Sequence, residues 1–126
     1  KCIFMLQKEL VERIVAPPGS AKRSRLTVIM GLKWDLQFRF NVPSEFFNPQ
    51  PKVDSAIFEM KPSLKFEGMI NNYAKFDQML KLLFSKKRKK IKNSVNEKIQ
   101  KHLKFDYDKR VEDLTIHELI MLADYF

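Results

Sequence analysis

The sequence predicts an α/β unit followed by a small all-α domain. Three observations carry that expectation. Apolar residues alternate strictly around position 38, their spacing turns helical beyond residue 75, and a stretch rich in polar residues lies between.

Taken in order, CIFMLQ is an unbroken apolar run of strand length and reads as a buried strand. KELVERIVA follows as a helix, with Glu9 and Glu12 near its start, where acids suit the macrodipole. Pro17, Pro18 and Gly19 cannot continue it. SRLTVIMGLKW reads as a second helix, weakened by its β-branched residues. Next, Trp34, Leu36, Phe38, Phe40 and Val42 fall on one face of a half-buried strand, and Asp35, Gln37, Arg39 and Asn41 on the other. VDSAIFEMK is a further strand with Ala56, Phe58 and Met60 on one side. The short loop before it predicts an antiparallel pair at a sheet edge.

Residues 1–61 thus form the mixed part, residues 62–75 a linker, and residues 76–126 the helical part. There Phe76, Met79, Leu80 and Leu83 recur at helical spacing. Ile91, Val95, Ile99 and Leu103 form the stripe of a second helix, onto which the preceding basic run is expected to extend. Thr115 and Glu118 make a T-x-x-E capping box for a third.

At 126 residues and 44% apolar content, the chain has enough material for a real core. A single cysteine, Cys2, excludes an internal disulfide and a cysteine metal cluster, and points to a reducing, cytoplasmic setting. No apolar run approaches the roughly 20 residues of a membrane helix. Because it begins on Lys1 and enters a strand at once, the chain reads as a piece of a longer protein.

The net charge of +9 is local. Ten basic residues against one acid, Glu97, lie between Lys81 and Lys104, and elsewhere the charges cancel. Lys86, Lys87, Arg88, Lys89 and Lys90 are consecutive, with Lys92 close behind. Such a run is often only a solvated face, but with no interleaved acid it favours a polyanion. The predominance of lysine over arginine favours phosphate contact over base reading. Lys22, Arg23 and Arg25 lie in a loop and form a smaller group: alone a solvated loop, with the larger run a second contact to the same nucleic acid.

FFNPQPKVDSAI sets two large rings beside Pro49 and Pro51, whose stiff backbones hold a neighbouring aromatic in place. Both rings can plug the core, the commoner fate of phenylalanine. Beside a basic surface, one of them can instead stack an unpaired base. His102 and His117 lack the spacing of a metal site, and Gly19, Gly31 and Gly68 are too scattered for a glycine-rich cofactor loop. No grouping of serine, cysteine or histidine points to a nucleophile.

Several blocks, in order, resemble the bacterial KsgA (RsmA) family of ribosomal RNA adenine dimethyltransferases. FMLQKELVERI resembles the strand and helix after that family's catalytic motif, and SRLTV its G-R-L-S-V helix start. FNPQPKVDSAI resembles its F-x-P-x-P-K-V-D-S-A signature, and FSKKRKKIKNSV its F-S-x-R-R-K-x-x-x-N-x-L segment. The resemblance implies the C-terminal part of a Rossmann-like S-adenosylmethionine-dependent methyltransferase sheet, followed by a small helical domain that engages the ribosome. The activity implied is dimethylation of the N6 amines of two adjacent adenines near the 3′ end of small-subunit rRNA, by a cytoplasmic monomer. By the same resemblance Phe47 stacks on the flipped adenine and Phe46 packs inward. A flipped base is what the chemistry requires, since the amine is out of reach within a stack.

The family's glycine-rich cofactor loop, acidic ribose-binding residue and N-L-P-Y motif lie upstream of the blocks matched here, and none is in this sequence. The 126 residues alone are therefore expected to bind no S-adenosylmethionine and to catalyse nothing. Arg23 and Ser24 also depart from the tyrosine and glycine usual at their positions. Two other readings stand beside this one. The Erm-type large-subunit enzyme is a relative from which KVDSA, rather than K-V-N-S, distinguishes the chain. The second is a non-catalytic RNA-binding module that assists ribosome assembly.

Overall fold

A computed structural model describes all residues 1–126. The backbone divides into two units, residues 1–17 with 22–65 and residues 18–21 with 66–126. In the first unit, β1 (Cys2–Gln7), β2 (Trp34–Val42) and β3 (Ser55–Pro62) form one sheet in the order β1-β3-β2. β3 is antiparallel to both neighbours, so β1 and β2 run parallel and their carboxyl ends share one end of the sheet. Helices α1 (Lys8–Ile14) and α2 (Arg25–Gly31) connect β1 to β2.

One face of the sheet supplies the core. Ala56, Phe58 and Met60 of β3 pack with Val11 and Ile14 of α1, and Trp34 and Leu36 add partly buried bulk. Phe4 stacks on Phe58 with ring centroids 5.8 Å apart. The α1–α2 corner is tied by one hydroxyl. Thr27 Oγ1 donates to Arg13 O at 2.6 Å and accepts from the Ser24 N–H at 3.0 Å.

Two expectations for the strands are corrected. β1 is exposed at all six positions, not buried, because it is an edge strand with one neighbour and neither face is covered. In β2 the register shifts between Phe38 and Phe40: Phe38 opposes Phe58, but Phe40 opposes Ile57. Arg39 is the extra residue of this bulge. Phe40 therefore lies on the face opposite Leu36 and Phe38, and is exposed.

The second unit holds α3 (Tyr73–Ser85), α4 (Glu97–His102) and α5 (Ile116–Ala123); its core includes Phe76, Met79, Leu80 and Leu83 from α3 and Leu119 and Leu122 from α5, while α4 buries no residue. Asn72 caps α3 by accepting the Lys75 N–H at 3.1 Å. The capping box at α5 forms with both bonds at 3.1 Å, Thr115 N–H to Glu118 and Glu118 N–H to Thr115. Phe66 is buried, so the region between strand and helix is not solvated along its whole length.

The second predicted helix is much shorter than its stripe. α3 ends at Ser85, residues 86–88 turn, Ile91–Asn93 is a single 3-10 turn, and only Glu97–His102 is α-helical. The reason is non-local. Ile91 N–H donates to Lys109 O at 2.8 Å and Lys92 N–H to Tyr107 O at 3.0 Å, so the segment pairs sideways instead of winding.

Candidate nucleic-acid interface

In open α/β sheets, ligands meet the carboxyl ends of the parallel strands. Here that end carries Gln7, the last residue of β1, and the residues 43–54 after β2. Local bonds hold this loop rigid. Asp54 accepts the Ser44 N–H at 2.9 Å, Gln50 donates to Ser44 Oγ at 3.1 Å, and Phe47 N–H donates to Ser44 O at 3.2 Å. The Lys8 N–H donates to Asp54 O at 2.9 Å and joins the loop to the start of α1. Between them lies an open cleft of about 450 Å³ lined by Gln7, Lys8, Glu12, Lys22, Lys52 and Asp54.

The phenylalanine pair is split in the opposite sense to the expectation. Phe46 is 75% exposed and Phe47 is half-buried. The cause is the 3-10 turn Ser44–Phe46, which the Phe46 N–H closes onto Pro43 O at 3.1 Å. Its third residue turns out to solvent, and the extended Phe47 lies back along the loop. Phe47 keeps an open face at the carboxyl end of the sheet, and Phe46 adds a second, fuller one.

The smaller basic group is divided as well. Arg23 is only 5% exposed, with Nη1 donating to Ala16 O at 3.0 Å and Nε without a partner. Burial lowers its guanidinium pKa from the ordinary value. Arg23 therefore faces the interior and cannot meet a polyanion, which corrects its assignment as an RNA contact. Lys22 pairs with Glu12, whose carboxyl that contact holds below its usual range. Arg25 is exposed at the start of α2.

The main basic run is a turn rather than a helix face. Lys87 donates through Nζ to Ala21 O, within the same unit. Lys90 and Lys92 flank Asp108 at 3.6 and 3.3 Å, and Lys92 is the leading cause of a lowered Asp108 pKa. Lys86, Arg88 and Lys89 are exposed, and the side chains of these three pair with no acid. Of the run, only Lys90 and Lys92 pair with an acid through their side chains, whereas Lys87 is anchored by a carbonyl and keeps its charge. Asp108 and Glu112, which pattern reading did not single out, shape this surface from 16 or more residues downstream in the sequence.

An α/β sheet carrying an aromatic loop at its carboxyl end, joined in one chain to a helical unit with a cationic turn, describes a nucleic-acid-modifying class of protein. Over residues 1–126 the chain matches the sequence profile of Ribosomal RNA adenine dimethylase, and it belongs to that family. It is 38% identical over 128 aligned residues to proteins named Ribosomal RNA small subunit methyltransferase A from Francisella tularensis subsp. tularensis strain SCHU S4 and subsp. novicida strain U112. Those alignments cover 97% of this chain and 48% of each relative, so the chain spans about half their length. Among solved structures, a dimethyladenosine transferase from Plasmodium falciparum is similar at a TM-score of 0.77 and 29% identity, over 95% of this chain and 54% of that one. The 23S rRNA methyltransferase ErmE shares the fold at a TM-score of 0.59 and 22% identity, over 97% of this chain and 52% of that one.

Proposed function

We propose that the chain is the RNA-engaging part of an enzyme that dimethylates the N6 amines of two adjacent adenines near the 3′ end of small-subunit rRNA during subunit biogenesis. The observation that carries this reading is the Phe46–Phe47 loop, clamped at the carboxyl end of the sheet in a chain of this family. Phe47 is the stacking face for the flipped adenine, and Phe46 is placed to widen that platform. Lys86, Arg88 and Lys89 contact rRNA phosphates, with Lys90 and Lys92 as flanking charges of the same unit and Arg25 as a separate charge of the first unit. Lys87, held by the Ala21 carbonyl, and Lys22, paired with Glu12, are weaker contacts to the same RNA.

The cofactor of the reading is S-adenosylmethionine, which supplies the methyl group. The residues present do not fit it. The loops after β1 and β2 contain no glycine that would let backbone approach a nucleotide-like ligand, and Gly19 and Gly68 lie in the second unit. Its pocket belongs to residues outside this chain, and no step of methyl transfer is assigned to the residues here. The protein works as a cytoplasmic monomer with the small ribosomal subunit as partner. A large-subunit substrate is the alternative that the ErmE likeness leaves in view, and it rests on fold alone.

The test is a salt series of binding to a hairpin RNA from the 3′ end of small-subunit rRNA. Reversal of Lys86, Arg88 and Lys89 to Glu should weaken binding and flatten log K against log salt by about one unit per lost phosphate contact. An unchanged slope removes the turn from the interface. Stronger binding to a large-subunit hairpin overturns the choice of subunit.

A further inference from the structure

The cationic turn has an unusual backbone. Arg88 has a φ of +74°, a left-handed conformation that residues with side chains seldom adopt. Its N–H points inward to Glu112, reaching the two carboxylate oxygens at 3.3 and 3.1 Å. Glu112 is 5% exposed, within a segment whose neighbours Val111 and Leu114 are fully buried. Its own carbonyl accepts the Gly19 N–H at 2.8 Å, and the turn Pro18–Ala21 in turn receives the Lys87 ammonium at Ala21 O. Gly19 itself has a φ of +93°, which only glycine adopts easily, so this supporting turn is also built for one shape.

A buried carboxylate beneath five consecutive cations has an evident electrostatic role, but its geometry shows a different one. It bonds to backbone, not to a cationic side chain. The acceptor stands where α3 would otherwise continue, and it rewards the left-handed residue that ends the helix. With the N–H turned in, Lys86, Arg88 and Lys89 are exposed. Were the helix to continue, as its sequence invites, the same cations would spread over its circumference.

We infer that Glu112 is a positioning residue for RNA binding: it fixes the left-handed turn at Arg88 and so gathers the free cations of the turn into one phosphate-facing surface. The inference rests on the RNA-binding reading of the turn given above. It assigns rRNA affinity to an acid that touches no RNA and whose charge opposes it.

The sign of the effect provides the test. Binding of the chain to the small-subunit 3′ hairpin is measured for wild type, Glu112→Met and Glu112→Gln, together with amide exchange at Arg88. Methionine fills the volume but accepts nothing, whereas glutamine keeps one acceptor oxygen. Glu112→Met should expose the Arg88 amide to exchange and weaken RNA binding about tenfold, although it removes a negative charge. Glu112→Gln should preserve protection and hold affinity within about twofold of wild type. A pure charge effect has the opposite sign, and tighter binding by both variants overturns the inference. So does unchanged affinity of folded Glu112→Met, or an unprotected Arg88 amide in the wild-type chain, a result that does not depend on any variant folding. Failure of the RNA reading looks different: the Lys86, Arg88 and Lys89 reversal leaves affinity untouched while Arg88 protection still follows Glu112.

Discussion

Phe46 and Phe47 show how finely a single position decides between packing and recognition. One N–H bond to Pro43 closes a 3-10 turn, and the ring expected inside emerges 75% exposed. Phe47 keeps contact with the loop and presents its remaining face, which suits a stacking partner that must not drift. Base–aromatic stacking is worth about 1–3 kcal/mol per base. In the full-length enzyme, Phe47→Ala should lower methylation of small-subunit rRNA by about 10- to 100-fold at saturating substrate. Subunit binding, which the proposal assigns to the cationic turn, should change little. A filter-binding assay beside a methyl-transfer assay separates the two, and equal loss of both assigns Phe47 to the core instead. Arg23 gives the converse lesson: a cation in a basic run can be committed inward by one carbonyl and a change in backbone direction.

Among the elements, β3 holds the sheet together chemically as well as by its ladder. Glu59 at its centre is 2% exposed and receives Lys1 at 2.7 Å and Arg39 at 2.6 Å. Lys1, and then Arg39, hold its carboxyl below the usual carboxylate range against the opposing effect of burial. A folded-state pKa below the unfolded one, about 4.3, stabilises the sheet above that pH and loses the contribution as pH falls through the folded value. Thermal melting from pH 7 down to pH 2 should therefore show a steep acid limb that Glu59→Gln flattens, and parallel curves would contradict it. Arg39 reaches Glu59 from the bulge, so the irregularity of β2 supplies the partner. That bulge was invisible in the sequence, since WDLQFRFNV alternates perfectly and nothing in it marks the extra residue. By contrast α3, the α5 capping box and the inward side of β3 were legible because their determinants lie within a few residues of each other. The helix through Ile91 and Val95 failed for the opposite reason: the competing bonds come from Tyr107 and Lys109, which no local pattern contains. At the candidate interface the residue types could be read, but which cations are free could not. Asp108, Ala21 and Glu112 settle that from distant sequence positions.

At the scale of the molecule, the densest run of cations, Lys86 to Lys90, sits in the half that carries no sheet, and the exposed aromatic loop in the half that does. The proposed RNA contacts of the two halves differ in their physics: salt-sensitive phosphate contact in one, salt-tolerant stacking in the other. The sheet half carries a further consequence. β1 offers six exposed residues, CIFMLQ, with high strand propensity, no proline and no charge, and hydrogen-bonding groups unpaired along one side. That is the pattern of a template for strand addition. At high concentration the chain should self-associate through β1 with rising light scattering and thioflavin fluorescence. Met5→Lys, which places a charge on the exposed strand, should suppress both while the helical unit keeps its melting transition. The strand that looked ready for a core is thus an adhesive edge, and in isolation this chain's solubility is governed there rather than by its large net charge.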